Sequence, residues 1–119
     1  MFSIININKE KVKNMKHSKM YILIKEWVDA GHAVNTAAHA GAMIHKRGWL
    51  DDDPAMAEWY DNSFRKVTCR VTDKEFEKAK EFEDWYTVEE MAFDNKEVAL
   101  VFKPRKEWPK FFNFLRLWK

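Results

Sequence analysis

Cysteine is nearly absent from this sequence of 119 residues, and the single Cys69 excludes an internal disulfide. One unpaired cysteine suits a reducing compartment, so a cytoplasmic protein is expected. Cys69 lies in the β-forming run 64–71, a setting that favours a buried structural thiol over a reactive one.

Long apolar runs and a strong excess of one charge are also missing. No segment approaches the roughly 20 apolar residues that a transmembrane helix needs, so no membrane partner is expected. The 21 basic and 19 acidic residues leave a net charge of +2. This balance argues against a dedicated nucleic-acid-binding protein, but not against a local basic patch.

The length suits one domain and is too short for two ordinary ones. The stretch 9–19 is polar and basic, which is typical of a tether. We therefore expect a flexible N-terminal arm over residues 1–18 and a single α/β domain over residues 19–119.

Hydrophobic spacing predicts four strands and four helices. The strands are expected at 20–24, 64–71, 87–93 and 97–102, and the helices at 33–46, 54–60, 73–82 and 108–118. The order β-α-α-β-α-β-β-α predicts a mixed four-stranded sheet with helices on both faces, because early strand–helix–strand units pair in parallel and the late hairpin is antiparallel. Pro104 is predicted to end the sheet.

One segment carries a family resemblance. The apolar strand 19–25 is followed by Gly31-His-Ala-Val-Asn-Thr-Ala-Ala-His-Ala40. This pattern resembles the Gly-Lys-x-x-x-Gln-x-x-His-Ala opening of type-2 peptidyl-tRNA hydrolases, with His32 in place of the lysine and Thr36 in place of the glutamine. The resemblance covers residues 19–104 and implies that fold, ester hydrolysis and a tRNA ligand.

The same resemblance implies catalytic residues. In the family, the lysine at the helix start takes part in catalysis and tRNA contact, which points to His32 here. An Asp-Ala-Gly-x-Thr segment supplies an aspartate and a threonine, which points to Asp84 and Thr87. The spacing of these two differs from the family pattern, and the glycine is missing.

The residues at the helix start also suggest a ligand site by themselves. The first N–H groups of a helix are unpaired and attract phosphate or carboxylate, which makes Gly31 and His32 candidates. His32, Asn35 and His39 fall on one helix face. An imidazole can act as a general base or hold a phosphate. The alternative is that His39 is a helix–sheet contact and His32 a surface residue.

Three cations near this helix are candidate phosphate ligands, namely Lys25, Lys46 and Arg47. Neither a metal nor a cofactor is expected. The intervals between His32, His39 and His45 do not match His-Glu-x-x-His, and the chain has no cysteine pair.

The C-terminal tail interleaves basic and aromatic residues, a composition found in single-stranded RNA sites. Five apolar residues nevertheless form a helical stripe that favours docking on the sheet or on a second subunit. They are Trp108, Phe111, Phe112, Leu115 and Trp118. Phe114 and Leu117 lie off this stripe and indicate a homodimer contact.

Two functions therefore remain open on the sequence. The first is an ester hydrolase of the peptidyl-tRNA hydrolase type, with water activated by His32 or Asp84. The second is a non-catalytic protein of the same fold that binds a nucleotide, RNA or a protein partner.

Overall fold

The computed structural model describes residues 17–46 and 54–119, except for the side chains of residues 45 and 46. The strands are β1 (Lys19–Lys25), β2 (Arg65–Val71), β3 (Trp85–Glu90), β4 (Lys96–Arg105) and β5 (Arg116–Leu117). The helices are α1 (Ala30–Lys46), α2 (Pro54–Glu58), α3 (Asp73–Ala79) and α4 (Lys110–Asn113). A π-helical turn spans Trp59–Ser63 and a 3-10 turn spans Met91–Phe93.

The strands form one mixed sheet in the order β3-β4-β1-β2-β5. β1 is parallel to β2, whereas β4 is antiparallel to both β1 and β3. The predicted α/β fold with a mixed sheet is confirmed, but the described residues form five strands where four were predicted. Because β1, β2 and β3 run the same way, Lys25, Val71 and Glu90 lie at one end of the sheet, the carboxyl end.

Both faces of the sheet are covered, as predicted. Alternate residues of β1 enter different cores. Ile22 and Ile24 join Ala40 of α1, whereas Leu23 joins Phe76 of α3. Cys69 lies in the α3-side core with 1% of its surface exposed, and burial raises its pKa to about 11. The expected buried thiol is confirmed.

The predicted C-terminal helix over 108–118 is wrong, and with it the predicted element order. The tail forms only the short α4 and then pairs with β2, matching Cys69 with Leu117 and Arg70 with Arg116. The outer edge of β2 offers unpaired backbone groups, and the tail satisfies them. Trp118 continues this contact, since its N–H donates to the carbonyl of Thr68 at 2.9 Å.

The predicted docking of the tail stripe on the sheet holds for most of its residues. Phe112 is 2% exposed and Leu115 is 8% exposed in the α3-side core. Trp118 instead packs against the α1-side core. Phe114 and Leu117 are 79% and 54% exposed, so the homodimer contact stays a prediction.

Two strand ends differ from the prediction by three residues each. β4 continues through Pro104 to Arg105, and the N–H of Lys103 donates to the carbonyl of Asp84 at 2.9 Å. β3 ends at Glu90. Asp94 and Asn95 take φ values of 55° and 60° in the hairpin connection, a conformation that Asp and Asn tolerate better than most residues.

Most of the predicted arm over 1–18 lies outside the described residues. The exceptions are His17 and Ser18, which are both held by the Glu58 carboxylate of α2. Within the described ranges, no helix combines the length and the apolar character needed to cross a membrane.

Candidate functional site

The start of α1 is built around Asp29, the residue that precedes the helix. Its Oδ2 accepts a hydrogen bond from the backbone N–H of His32 at 3.3 Å, so Asp29 caps the helix. Its Oδ1 lies 2.6 Å from Nδ1 of the His32 ring. Because an ionised carboxylate only accepts hydrogen bonds, Nδ1 is the donor in this contact, and the neutral form of the imidazole then has its lone pair on Nε2.

The contact with His32 also changes the pKa of the Asp29 carboxyl group. The side-chain hydrogen bond from His32 is the main reason why the pKa of Asp29 is lowered, and the backbone hydrogen bond adds to it. The carboxylate therefore stays charged beside the imidazole. Such a pair can orient a histidine and stabilise its protonated form.

The imidazole stands at the end of an aromatic row formed by Trp27, Phe93 and His32. The ring centroids of His32 and Phe93 are 5.0 Å apart, and those of Phe93 and Trp27 are 5.4 Å apart. The Trp27 indole N–H donates to Asp73 at 3.2 Å. These contacts fix a partly exposed apolar surface at the carboxyl end of the sheet.

His39 and Asn35 lie further along α1. His39 Nε2 is 4.0 Å from Glu90 Oε2, and its side chain is 60% exposed. The structure therefore places His32 and His39 on one flank of α1, beside the 90–93 segment. Asn35 is exposed. Thr36, which replaces the glutamine of the resemblance, is fully buried and cannot contact a ligand from solution.

Asp84 and Thr87 do not join His32, which corrects the expected shared site. Asp84 precedes β3, whereas the His32 ring contacts Phe93 beyond the other end of that strand. Six residues of extended chain separate Asp84 from Glu90, a distance of about 20 Å. Tyr86 reaches α1 through its hydroxyl, which donates to Ala40, so the alternating Thr87 faces away from α1.

Of the proposed phosphate-holding cations, Lys25 lies at the Trp27 end of the aromatic row and not beside His32. Its Nζ is 3.6 Å from Asp73 Oδ1, 4.5 Å from the Phe76 ring centroid and 5.8 Å from the Trp27 ring centroid. Lys46 ends α1, about 21 Å along the helix from His32. The side chain of Lys46 and the whole of Arg47 fall outside the described residues.

The Asp29 carboxylate occupies part of the helix start that the sequence suggested as an anion site. Asp29 already accepts from the His32 N–H and places a negative charge there. Gly31 is exposed, and a Cβ at this position would meet only Asp29 Oδ2, at an ordinary 3.5 Å. A phosphate at this point would face the charged carboxylate of Asp29.

Asp29 is the main residue that sequence reasoning missed. It stands three residues before His32, the spacing of a helix cap and its partner, so the signal was present. The contribution of Phe93 had no local signal, because its contact with His32 spans 61 positions and depends on the sheet.

The described stretches contain no group of three or more His, Cys, Asp or Glu residues that could hold a metal ion. No protein-family model matches this sequence, and no curated protein matches it.

Proposed function

We propose that the protein is an ester hydrolase of the peptidyl-tRNA hydrolase type, with His32 as general base and Asp29 as its orienting partner. The observation that carries this proposal is the 2.6 Å contact between His32 Nδ1 and Asp29 Oδ1. It leaves Nε2 as a proton acceptor, beside an apolar row on which a substrate can rest.

The chemistry needs only water and the ester. Nε2 accepts a proton from a water molecule as its oxygen attacks the ester carbonyl carbon. Asp29 stabilises the imidazolium that forms. The imidazolium then gives the proton to the departing ribose oxygen of the tRNA as the carbon–oxygen bond breaks, so that this oxygen leaves as a hydroxyl. Trp27 and Phe93 offer flat surfaces against which a base or an aromatic side chain of the substrate stacks.

The resemblance over residues 19–104 supplies the substrate class in this proposal, and the single buried cysteine supports a cytoplasmic location.

Release of peptide from a peptidyl-tRNA by the purified protein tests the proposed hydrolysis, with an aminoacyl-tRNA as the control substrate. His32→Ala should lower the turnover number by about 10²–10⁴-fold, the usual contribution of a positioned general base. Absence of any peptide release by the unmodified protein would contradict the proposal.

A second function is favoured by one specific observation. Asp84 and Thr87, the residues that the resemblance associates with catalysis, lie away from His32. A protein that keeps the fold and only binds its ligand at the aromatic row would show this separation. In that case there is no turnover, and Phe93→Ala weakens ligand binding by removing the central ring of the row.

A further inference from the structure

A second surface lies on the β2–β5 edge, where the tail closes the sheet. It is an open pocket of about 390 Å³ lined by Arg70, Arg116, Leu117 and Lys119. Three of these four residues are basic and none is acidic. It is a separate feature from the Asp29–His32 pair, and it involves none of the cations named from the sequence.

The two arginines are held close together by the strand register. Arg70 of β2 is directly opposite Arg116 of β5. Opposed residues of antiparallel strands point to the same face, and like charges in this arrangement repel. The tail therefore places two arginine side chains on the same face of the sheet edge, where both line the pocket.

Arg70 lacks a carboxylate partner among the described residues. Its guanidinium carbon lies 4.3 Å from the centroid of the Trp118 ring, which supports the planar group from one side. Its Nε is buried and has no hydrogen-bond partner in the described part of the chain. Arg116 forms an ion pair with Glu26, in which one guanidinium nitrogen donates to Oε1 at 2.8 Å, and its side chain is 58% exposed.

We propose that this pocket, the β2–β5 pocket, binds a phosphate group carried by a nucleotide or an RNA strand. Paired guanidinium groups match the oxygens of a phosphate through parallel N–H donors, which a single lysine cannot do. Lys119 adds a third positive charge at the rim. The proposal goes beyond the proposed function, because it requires no hydrolysis and no contribution from His32.

Binding of three probes tests the site without measuring turnover. The probes are inorganic phosphate, adenosine monophosphate and a fluorescently labelled single-stranded RNA of 12 nucleotides. Arg116→Ala should weaken binding on the order of tenfold, since it removes charge-assisted hydrogen bonds. It should also reduce the dependence of RNA affinity on salt concentration, because fewer counterions are released. Arg116 is exposed, so this variant keeps the core intact.

Arg70→Lys is the second variant, since it keeps the charge but removes the planar fork. It should weaken binding by severalfold while Lys78→Ala, which removes an exposed α3 cation, leaves affinity unchanged. Binding of all three probes would indicate a site for free phosphate groups, and binding of RNA alone a strand site. Failure of all three probes to bind, or equal losses in Arg116→Ala and Lys78→Ala, would overturn the proposal.

Discussion

Glu58 shows how one side chain ties the N-terminal segment to the fold. Burial raises the pKa of its carboxyl group, but the backbone N–H of Ser18 and the His17 and Ser18 side chains outweigh this, so the pKa is lowered overall. A carboxyl whose folded pKa lies below its unfolded value stabilises the folded state above the unfolded pKa, here 4.5. The stabilisation disappears as the pH falls through the folded value.

Glu58→Gln should therefore lower the free energy of unfolding at pH 7 by about 1–3 kcal/mol, the range for hydrogen bonds to charged groups. The difference from the unmodified protein should shrink as the pH is lowered from 6 to 3. Urea unfolding across this range measures it, with Glu83→Gln at an exposed position as the control. A difference that stays constant with pH would show that the charge of Glu58 contributes nothing.

The residues of the α1 motif and Asp84 show what a short sequence motif can and cannot predict. His32 and His39 were placed correctly on one helix flank by their spacing alone. The expected position of Asp84 beside His32 was wrong, because the distance between the two residues depends on the direction of β3 and not on local sequence. Thr36 stands where the resemblance has a glutamine, yet its position on α1 turns it into the core.

Among the elements, the C-terminal tail departs most from its local pattern. Phe112 is 2% exposed, and its ring centroid lies within about 5 Å of those of Tyr21, Phe102 and Trp108. Two residues later, Phe114 is 79% exposed. These two phenylalanines give a matched pair within one short segment.

Phe112→Ala should lower the free energy of unfolding by about 3–5 kcal/mol, because it removes a buried ring and leaves a cavity. Phe114→Ala should change it by less than about 0.5 kcal/mol, as expected for an exposed position. Chemical denaturation of both variants measures the difference. Similar losses in the two variants would mean that the tail docks through Phe114 as well.

Elements with strong local signals were predicted well. The capping box of α3 is present as expected, since Thr72 Oγ1 accepts from the Glu75 N–H at 3.0 Å and the Thr72 N–H donates to Glu75 Oε1 at 2.8 Å. α1 was found from its apolar spacing, although it begins three residues earlier than predicted. The apolar residues of the tail have helical spacing. The pairing of the tail with the edge of β2 is a tertiary contact, and hydrophobic periodicity does not predict such contacts.

For the whole molecule, the direction of the strands decides which residues can act together. β1 and β3 are parallel, so the start of β3 and the start of α1 lie at opposite ends of the sheet. The sheet places Phe93 beside His32, with Trp27 next to Phe93, and it places Asp84 at the opposite end. The β2–β5 pocket also depends on strand pairing. Arg116 lies opposite Arg70 because the C-terminal tail pairs with the edge of β2 as strand β5.

The central claim is that Asp29, and not Asp84, is the partner of His32. Single-turnover release of peptide from a peptidyl-tRNA by Asp29→Asn and Asp84→Asn tests it most directly, since both changes keep size and remove one charge. Asp29→Asn should slow release by about 10²-fold or more, because the imidazole loses the carboxylate that fixes its tautomer and stabilises its protonated form. Asp84→Asn should release peptide at the rate of the unmodified protein. Loss of activity in Asp84→Asn with normal activity in Asp29→Asn would contradict the account.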